Sequence, residues 1–380
     1  MPFDLANILH SYACEGPLVE RMLELAIIGG GLSGLSLAQQ LHEAQHDFTL
    51  FEARERFGGR IHTHVSPAGF AHDLGPSWIW PATQPNIAAL IERLGLASHP
   101  QWLDGHSLYQ SERHTKAQVY VDHDSYAQAR RVEGGMMRLV EGLLALLPRS
   151  ALKPGHALQA LVERGDHIEL QFVVDGEAQS ITARKVVLTL PPRLLVECLA
   201  FEPSLDVGMQ RAMQETPTWM AGQAKAVIRY QRPFWREMGL SGSVLASYQG
   251  AALSEVFDVS PANGEYAALS GFMALPAALR ERYRDDLEAL ILEQLVRLFG
   301  QQAAQAEEIL ICDWFFEGYT AGKADEVLPL AHPHYGHPLF QQAHWNGKLY
   351  LCGTETATEY GGFLEGALVS SARVMKQLFA

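Results

Sequence analysis

Three glycines spaced Gly29-x-Gly31-x-x-Gly34, set between an apolar hexapeptide and a helical pattern, constrain this chain more than any other feature. The hexapeptide Leu23–Ile28 reads as a buried strand, and Leu32, Leu35, Ala38 and Leu41 share one face of the helix that follows. Phe48–Glu52 reads as the next strand, so the opening is a β-α-β unit of a doubly wound sheet. Each glycine then has its own physical reason. Gly29 permits a tight turn, Gly31 lets backbone approach a diphosphate, and Gly34 lets helix and strand lie close together. The helix N-terminus, with Ser33 in its first turn, offers free N–H groups and partial positive charge to phosphate oxygens. Glu52 ends the second strand eighteen residues after Gly34. A carboxylate there accepts ribose hydroxyls, contacts worth roughly 1.5–3 kcal/mol. An exposed strand-end acid is the commoner fate of glutamate; its place after a glycine-rich turn favours the ribose.

Further along, the periodicity predicts helices over residues 85–94, with Gly95 ending the first, and over 136–147 behind Gly134-Gly135. Residues 158–190 turn to strands, with hairpin signals at Gly165-Asp166 and Asp175-Gly176. The stretch 277–299 reads as the longest helix, with Leu279, Tyr283, Leu287, Leu290, Ile291 and Leu298 inward. A strand Leu349–Cys352 and a helix Phe363–Leu378 close the chain, and residues 1–22 form an N-terminal extension of no assigned role.

Lys and Arg number 29 against 43 Asp and Glu, a formal charge of −14. That surface repels phosphate backbones and anionic lipid heads, so neither nucleic acid nor membrane is an expected partner. No basic region precedes an apolar core at the N-terminus, and the four cysteines are far apart, so a reducing, cytoplasmic setting is expected. Sixteen histidines include the pair His62 and His64 and the group His332, His334 and His337. None has carboxylate or cysteine partners at ligand spacing, so no metal is expected. Oligomeric state is not legible.

Which dinucleotide binds is indicated by Glu52-Ala53-Arg54-Glu55-Arg56-Phe57-Gly58-Gly59-Arg60. Arginines and a Gly-Gly turn make a cationic, close-approach loop suited to a diphosphate. This segment resembles the signature after the second strand of the flavin-containing monoamine oxidase family, which favours FAD over NAD. The resemblance recurs at Asp73–Gln84, Ala160–Val162, Gln223–Lys225, Trp314–Gly322, Gly353–Thr358 and Gly362–Ala367. It implies an α/β (mixed α+β) fold, a Rossmann-like FAD-binding domain with a smaller mixed-sheet and helical substrate domain. The expected cofactor domain is discontinuous, over 23–97, 138–214 and 317–380, with 98–137 and 215–316 forming the substrate domain. It also implies FAD contacts from Ser33, Glu52, Arg54, Arg60, Ser77, Val162, Glu355 and Leu364, beside Gly29, Gly31, Gly34, Gly59, Gly75, Trp78 and Gly353. Lys225 is the expected catalytic residue, holding a water near flavin N5 and assisting reaction of the reduced flavin with oxygen.

Three departures from the family pattern matter. The family's covalent flavin attachment uses a cysteine where this chain carries Lys323, so FAD is expected to be non-covalent. The two tyrosines that frame the family's substrate correspond here to Ala324 and Phe363, so Phe363, Trp78, Trp314 and Ala324 are the expected pocket residues. The stretch between Leu96 and Gly134 is shorter than its family counterpart, and the family's C-terminal membrane anchor is not expected here. The resemblance implies oxidation of a small amine to an imine, then an aldehyde, with oxygen reduced to hydrogen peroxide. The altered tyrosine pair keeps two alternatives open: a flavoprotein dehydrogenase or desaturase acting on a non-amine carbon, and a flavin-binding partner protein without turnover.

Overall fold

The computed structural model describes residues 22–121, 126–327, 329 and 331–380, so the expected N-terminal extension lies outside the described residues except for Met22. Strands are numbered in chain order. The first, β1 (Leu23–Ile28), pairs in parallel with β2 (Thr49–Phe51) on one side and the end of β12 (Glu177–Leu188) on the other. Leu25–Ile28 are buried on both faces, as a central parallel strand requires. The sheet runs β13 (Ala200–Glu202), β10 (Ala157–Glu163), β11 (Ile168–Val174), β12, β1, β2, β9 (Leu152–Lys153), and β19 (Leu349–Leu351) also pairs with β12. The hairpin joining β11 and β12 turns at Asp175 and Gly176, both in the left-handed region that a tight two-residue turn demands.

Helices Leu32–Glu43, Pro85–Arg93, Met137–Ala145 and Leu364–Leu378 supply the core on one side of this sheet. Phe51, Phe172, Leu188, Met209 and Met213 fill the other. Each fully buried side chain of this size contributes about 1.5–3 kcal/mol.

A second sheet runs β18 (Glu308–Asp313), β14 (Ala224–Tyr230), β17 (Ala267–Met273), β16 (Leu253–Asp258), β15 (Leu240–Ala246), β6 (His106–Gln110), β7 (Gln118–Tyr120). One face packs on the helix Leu287–Phe299 through Leu287, Ile291, Leu295 and Leu298. Short ribbons join β3 (Thr63–Val65) to β4 (Ala71–Asp73) and β5 (Ser98–Pro100) to β8 (Arg130–Val132).

The long helix expected over 277–299 is broken. Helix Ala277–Arg282 gives way to a single 3-10 turn at Arg284-Asp285-Asp286 before Leu287–Phe299 begins. Leu279 and Tyr283, expected inward, are each 38% exposed, while Leu287, Ile291 and Leu298 are buried as expected. Three consecutive charged residues have no buried face to offer, and the helix restarts where the apolar stripe resumes. The closing helix, Leu364–Leu378, is the longer one.

Candidate active site

A cavity of about 1250 Å3 is walled by both sheets and by the loops leaving β1, β2 and β4. At one end it meets the opening glycine turn. Gly29 has φ +107°, and a Cβ on it would stand 2.4 Å from Thr189 Oγ1. A Cβ on Gly34 would lie 2.0 Å from the carbonyl oxygen of Gly29, so helix and strand touch there and no side chain fits between. Gly34 therefore acts by packing and does not line the cavity. Around Gly31 the space is open: its nearest neighbour would be Gly59 Cα at 3.9 Å, and both glycines border the cavity. The first helix has no side-chain cap at Gly31, which leaves first-turn N–H groups, Ser33 among them, without an intrahelical partner.

Glu52 is 4% exposed and borders the cavity. Its Oε2 accepts the Gly30 N–H at 2.7 Å and its Oε1 accepts the Arg54 N–H at 2.9 Å, so one carboxylate ties the glycine turn to the loop after β2. Each oxygen retains acceptor capacity for a hydroxyl. Arg54 Nη2 donates to Glu317 Oε2 at 3.1 Å and Thr320 Oγ1 at 3.0 Å. Arg56 instead donates to the carbonyls of Gly59 and Ile61 and shapes the loop. Arg60 reaches across to Glu355, with Nη1 2.7 Å from Oε1 and Nη2 3.0 Å from Oε2. Burial pulls the Arg60 guanidinium down, but the Glu355 carboxylate outweighs it and the group ends above its ordinary value.

At the other end stands Lys225 on β14, 3% exposed. Its Nζ donates to the Gly75 carbonyl at 2.8 Å and Ser77 Oγ at 2.6 Å, and it lies 5.6 Å from the Trp78 ring centre. An ammonium has three N–H groups, so one remains beyond those two bonds. Burial lowers its pKa from 10.5 to about 8, against a smaller upward pull from Asp73. Aromatic walls enclose this end. Trp78 donates to Gln101 Oε1 and packs on Phe257 and Phe272, while Trp314 donates to the Leu74 carbonyl. Phe363 borders the cavity and stacks on His332 at 5.0 Å. Phe363 also precedes the closing helix, whose uncapped first residue Leu364 borders the cavity beside Gly353.

Thus Gly29, Gly31, Ser33, Glu52, Arg54, Gly59, Arg60, Gly75, Ser77, Trp78, Lys225, Trp314, Gly353, Phe363 and Leu364, drawn from segments 335 residues apart, border one space. Glu355 sits behind Arg60. Two residues lie elsewhere. Val162 is buried beyond the wall: β10 carries a bulge between Leu158 and Ala160, and only its first half, Ala157–Ala160, meets the cavity. Ala324 is exposed, because residues 323–326 wind into a 3-10 turn fastened by Asp325 to Arg193 and to the Thr218 N–H, and Lys323 borders the cavity in its stead. Gln223 of the Gln223–Lys225 segment also borders it, as do Tyr126, Glu255 and Phe272, which had not been singled out. Cys312, opposite Lys225 on β18, and Cys352 are thiols that burial pushes up, Cys312 to about 11.

The set fits FAD. An open backbone cradle between two glycine turns and an uncapped helix suit a diphosphate, Glu52 suits a ribose, and the second uncapped helix faces the far end. A family model described as flavin containing amine oxidoreductase matches residues 32–111 and 103–377. Amine oxidase [flavin-containing] A of Equus caballus is 22% identical over 465 aligned positions, covering 96% of this chain and 86% of that protein. A putative flavin-containing monoamine oxidase of Mycobacterium tuberculosis is 25% identical, covering 94% and 97%. Among solved structures, a putrescine oxidase redesigned in cofactor binding superposes with TM-score 0.77 at 19% identity, covering 94% of this chain and 98% of that one. Cyclohexylamine oxidase from Brevibacterium oxydans gives 0.78 at 18%, with the same coverage. The chain belongs to the flavin-containing amine oxidoreductase family and is an FAD-dependent oxidoreductase.

Proposed function

We propose that this chain oxidises a small or medium amine at a non-covalently held FAD, with molecular oxygen as the electron acceptor. The net reaction is amine plus oxygen plus water to aldehyde, ammonia and hydrogen peroxide. Bound FAD supplies the redox chemistry, taking a hydride equivalent from the substrate α-carbon and passing two electrons to oxygen. The chain's own groups do the rest. Gly29, Gly31, Ser33 and Gly59 receive the diphosphate, and Glu52 the ribose. Gly353, Glu355 acting through Arg60, Gly75, Ser77 and Leu364 serve the flavin end. We further propose that 23–97, 138–214 and 317–380 act as the cofactor domain and 98–137 with 215–316 as the substrate domain.

The apolar and aromatic walls strip water from the amine and favour its neutral form, whose nitrogen lone pair assists loss of the α-hydrogen. Among the described residues no helix is long and apolar enough to cross a membrane.

Buried Lys225 is the observation that carries this reading. It costs free energy to hold an ammonium there, two bonds fix its direction, and one N–H remains for a water or oxygen inside the cavity. The test is stopped-flow reoxidation of the photoreduced enzyme. Lys225→Met is expected to slow reaction with oxygen at least tenfold while the flavin stays bound; an unchanged rate removes Lys225 from the oxygen reaction.

A further inference from the structure

Lys225 is held by one backbone oxygen and one hydroxyl, and among the described residues no carboxylate pairs with it. The groups that face it from neighbouring elements are engaged, opposed or distant. Asp73 on β4 pulls its pKa up, but Asp73 Oδ1 already accepts from Thr63 Oγ1 and the Met136 N–H. Arg131 on β8 is a second buried cation and pushes against the ammonium. Cys312, directly opposite on β18, is a thiol that burial raises to about 11. Phe272 on β17 and Glu255 on β16 continue the lysine's row across the sheet, which sets the acid two strand spacings away, about 10 Å at the backbone. Ser77 is therefore the one side chain that bonds the ammonium, with Oγ 2.6 Å from Nζ. It is 2% exposed, borders the cavity, and has no second side-chain hydrogen bond among the described residues.

We infer that Ser77 is a positioning residue for Lys225, keeping the lysine aimed into the cavity while it gives up and recovers a proton. A carbonyl such as that of Gly75 only accepts, whereas a hydroxyl both accepts and donates. Ser77 Oγ accepts an N–H from the ammonium; once Lys225 is neutral, the Ser77 hydroxyl turns and donates to the nitrogen lone pair. The contact persists in both states, and an N–H still points into the cavity. Oxygen receives two electrons and one proton from the hydrogen that the substrate gave up, and hydrogen peroxide needs one proton more. Lys225 supplies that proton from its ammonium, is left as a neutral amine, and regains a proton from cavity water. The inference rests on the oxygen-reducing reading of Lys225 above and deepens it.

The test compares Ser77→Ala and Ser77→Thr with the wild type in stopped-flow reoxidation of the photoreduced, FAD-loaded enzyme across neutral and alkaline pH. Photoreduction needs no amine, so the outcome is independent of substrate. The wild-type rate is expected to fall along an alkaline limb near the Lys225 pKa of about 8. Loss of one hydrogen bond to a buried charge corresponds to about one to two pH units, so in Ser77→Ala the limb moves to about 7 or below. Reoxidation is then slowed roughly fivefold or more at about pH 8, and no more than about twofold at about pH 6. Ser77→Thr, which keeps the hydroxyl, should restore the limb. Urea titration of the same proteins gives a second readout: the rise in stability across the lysine window should begin about one pH unit lower in Ser77→Ala. A limb and a urea profile unmoved in Ser77→Ala, or moved equally in Ser77→Thr, overturn the positioning role and leave Lys225 standing. A Lys225→Met enzyme that keeps the wild-type rate and limb overturns the oxygen reading of Lys225 itself, and this inference with it.

Discussion

Replacing Glu52 by glutamine tests the cofactor site where the structure is most explicit. The carboxylate accepts one backbone N–H on each oxygen, from Gly30 at 2.7 Å and from Arg54 at 2.9 Å. In Glu52→Gln one bond persists on the amide oxygen, while the amide NH2 is left facing a second N–H donor. A hydrogen bond to a charged acceptor is worth about 1.5–3 kcal/mol, and donor now opposes donor. Loss of one internal bond lowers the stability of the fold by that amount, and at about 1.4 kcal/mol per factor of ten, loss of a charge-assisted ribose contact of the same size weakens FAD roughly tenfold to a hundredfold. The assay is titration of apoprotein with FAD, followed by quenching of flavin fluorescence. Because the same carboxylate ties two loops of the apoprotein together, its urea midpoint should also fall. A dissociation constant within twofold of wild type, with an unchanged midpoint, refutes the reasoning.

Three further outcomes follow from the same geometry. Gly34→Ala drives a Cβ into the Gly29 carbonyl oxygen 2.0 Å away, so the first helix must shift; it should cost about 1–3 kcal/mol in stability and weaken FAD, measured by urea unfolding and flavin titration. The lowered pKa of Lys225 fixes the sign of a pH effect. Between about 8 and 10.5 the unfolded chain binds that proton and the folded one does not, so stability contributed by this group rises with pH across the window by on the order of 2–3 kcal/mol. Lys225→Met should abolish that rise in denaturant titrations. Acid precipitation of the loaded enzyme should release all flavin as free FAD into the supernatant; pigment retained in the pellet contradicts non-covalent binding.

Local chemistry was legible in the sequence. The glycine spacing, Glu52 and the Gly58-Gly59-Arg60 turn all belong to the opening β-α-β unit and the loop that follows it, where short-range chain geometry dictates what each can do. The hairpin at Asp175-Gly176 was legible for the same reason. What depends on strand register was not. Lys225 reads as an exposed strand lysine until the loop carrying Gly75, Ser77 and Trp78 packs against it, and only the family resemblance singled it out. Glu255 and Phe272 belong to strands whose alternation is visible, yet nothing local says that they share a row with Lys225. Val162 lies beyond the stretch of its strand that borders the cavity, and Ala324 lies in a 3-10 turn whose anchor, Arg193, is far away in sequence; neither position is visible in the local pattern. The break before Leu287 was visible in principle, since Arg284-Asp285-Asp286 interrupts the apolar stripe.

The most direct test mixes the yellow, FAD-loaded enzyme with an amine in the absence of oxygen and follows the flavin absorbance. This account expects bleaching by one equivalent of amine per FAD, with release of aldehyde and ammonia, and recovery on admitting air with one hydrogen peroxide formed. A flavin that stays oxidised against every primary amine offered, in protein that binds FAD one to one, contradicts it.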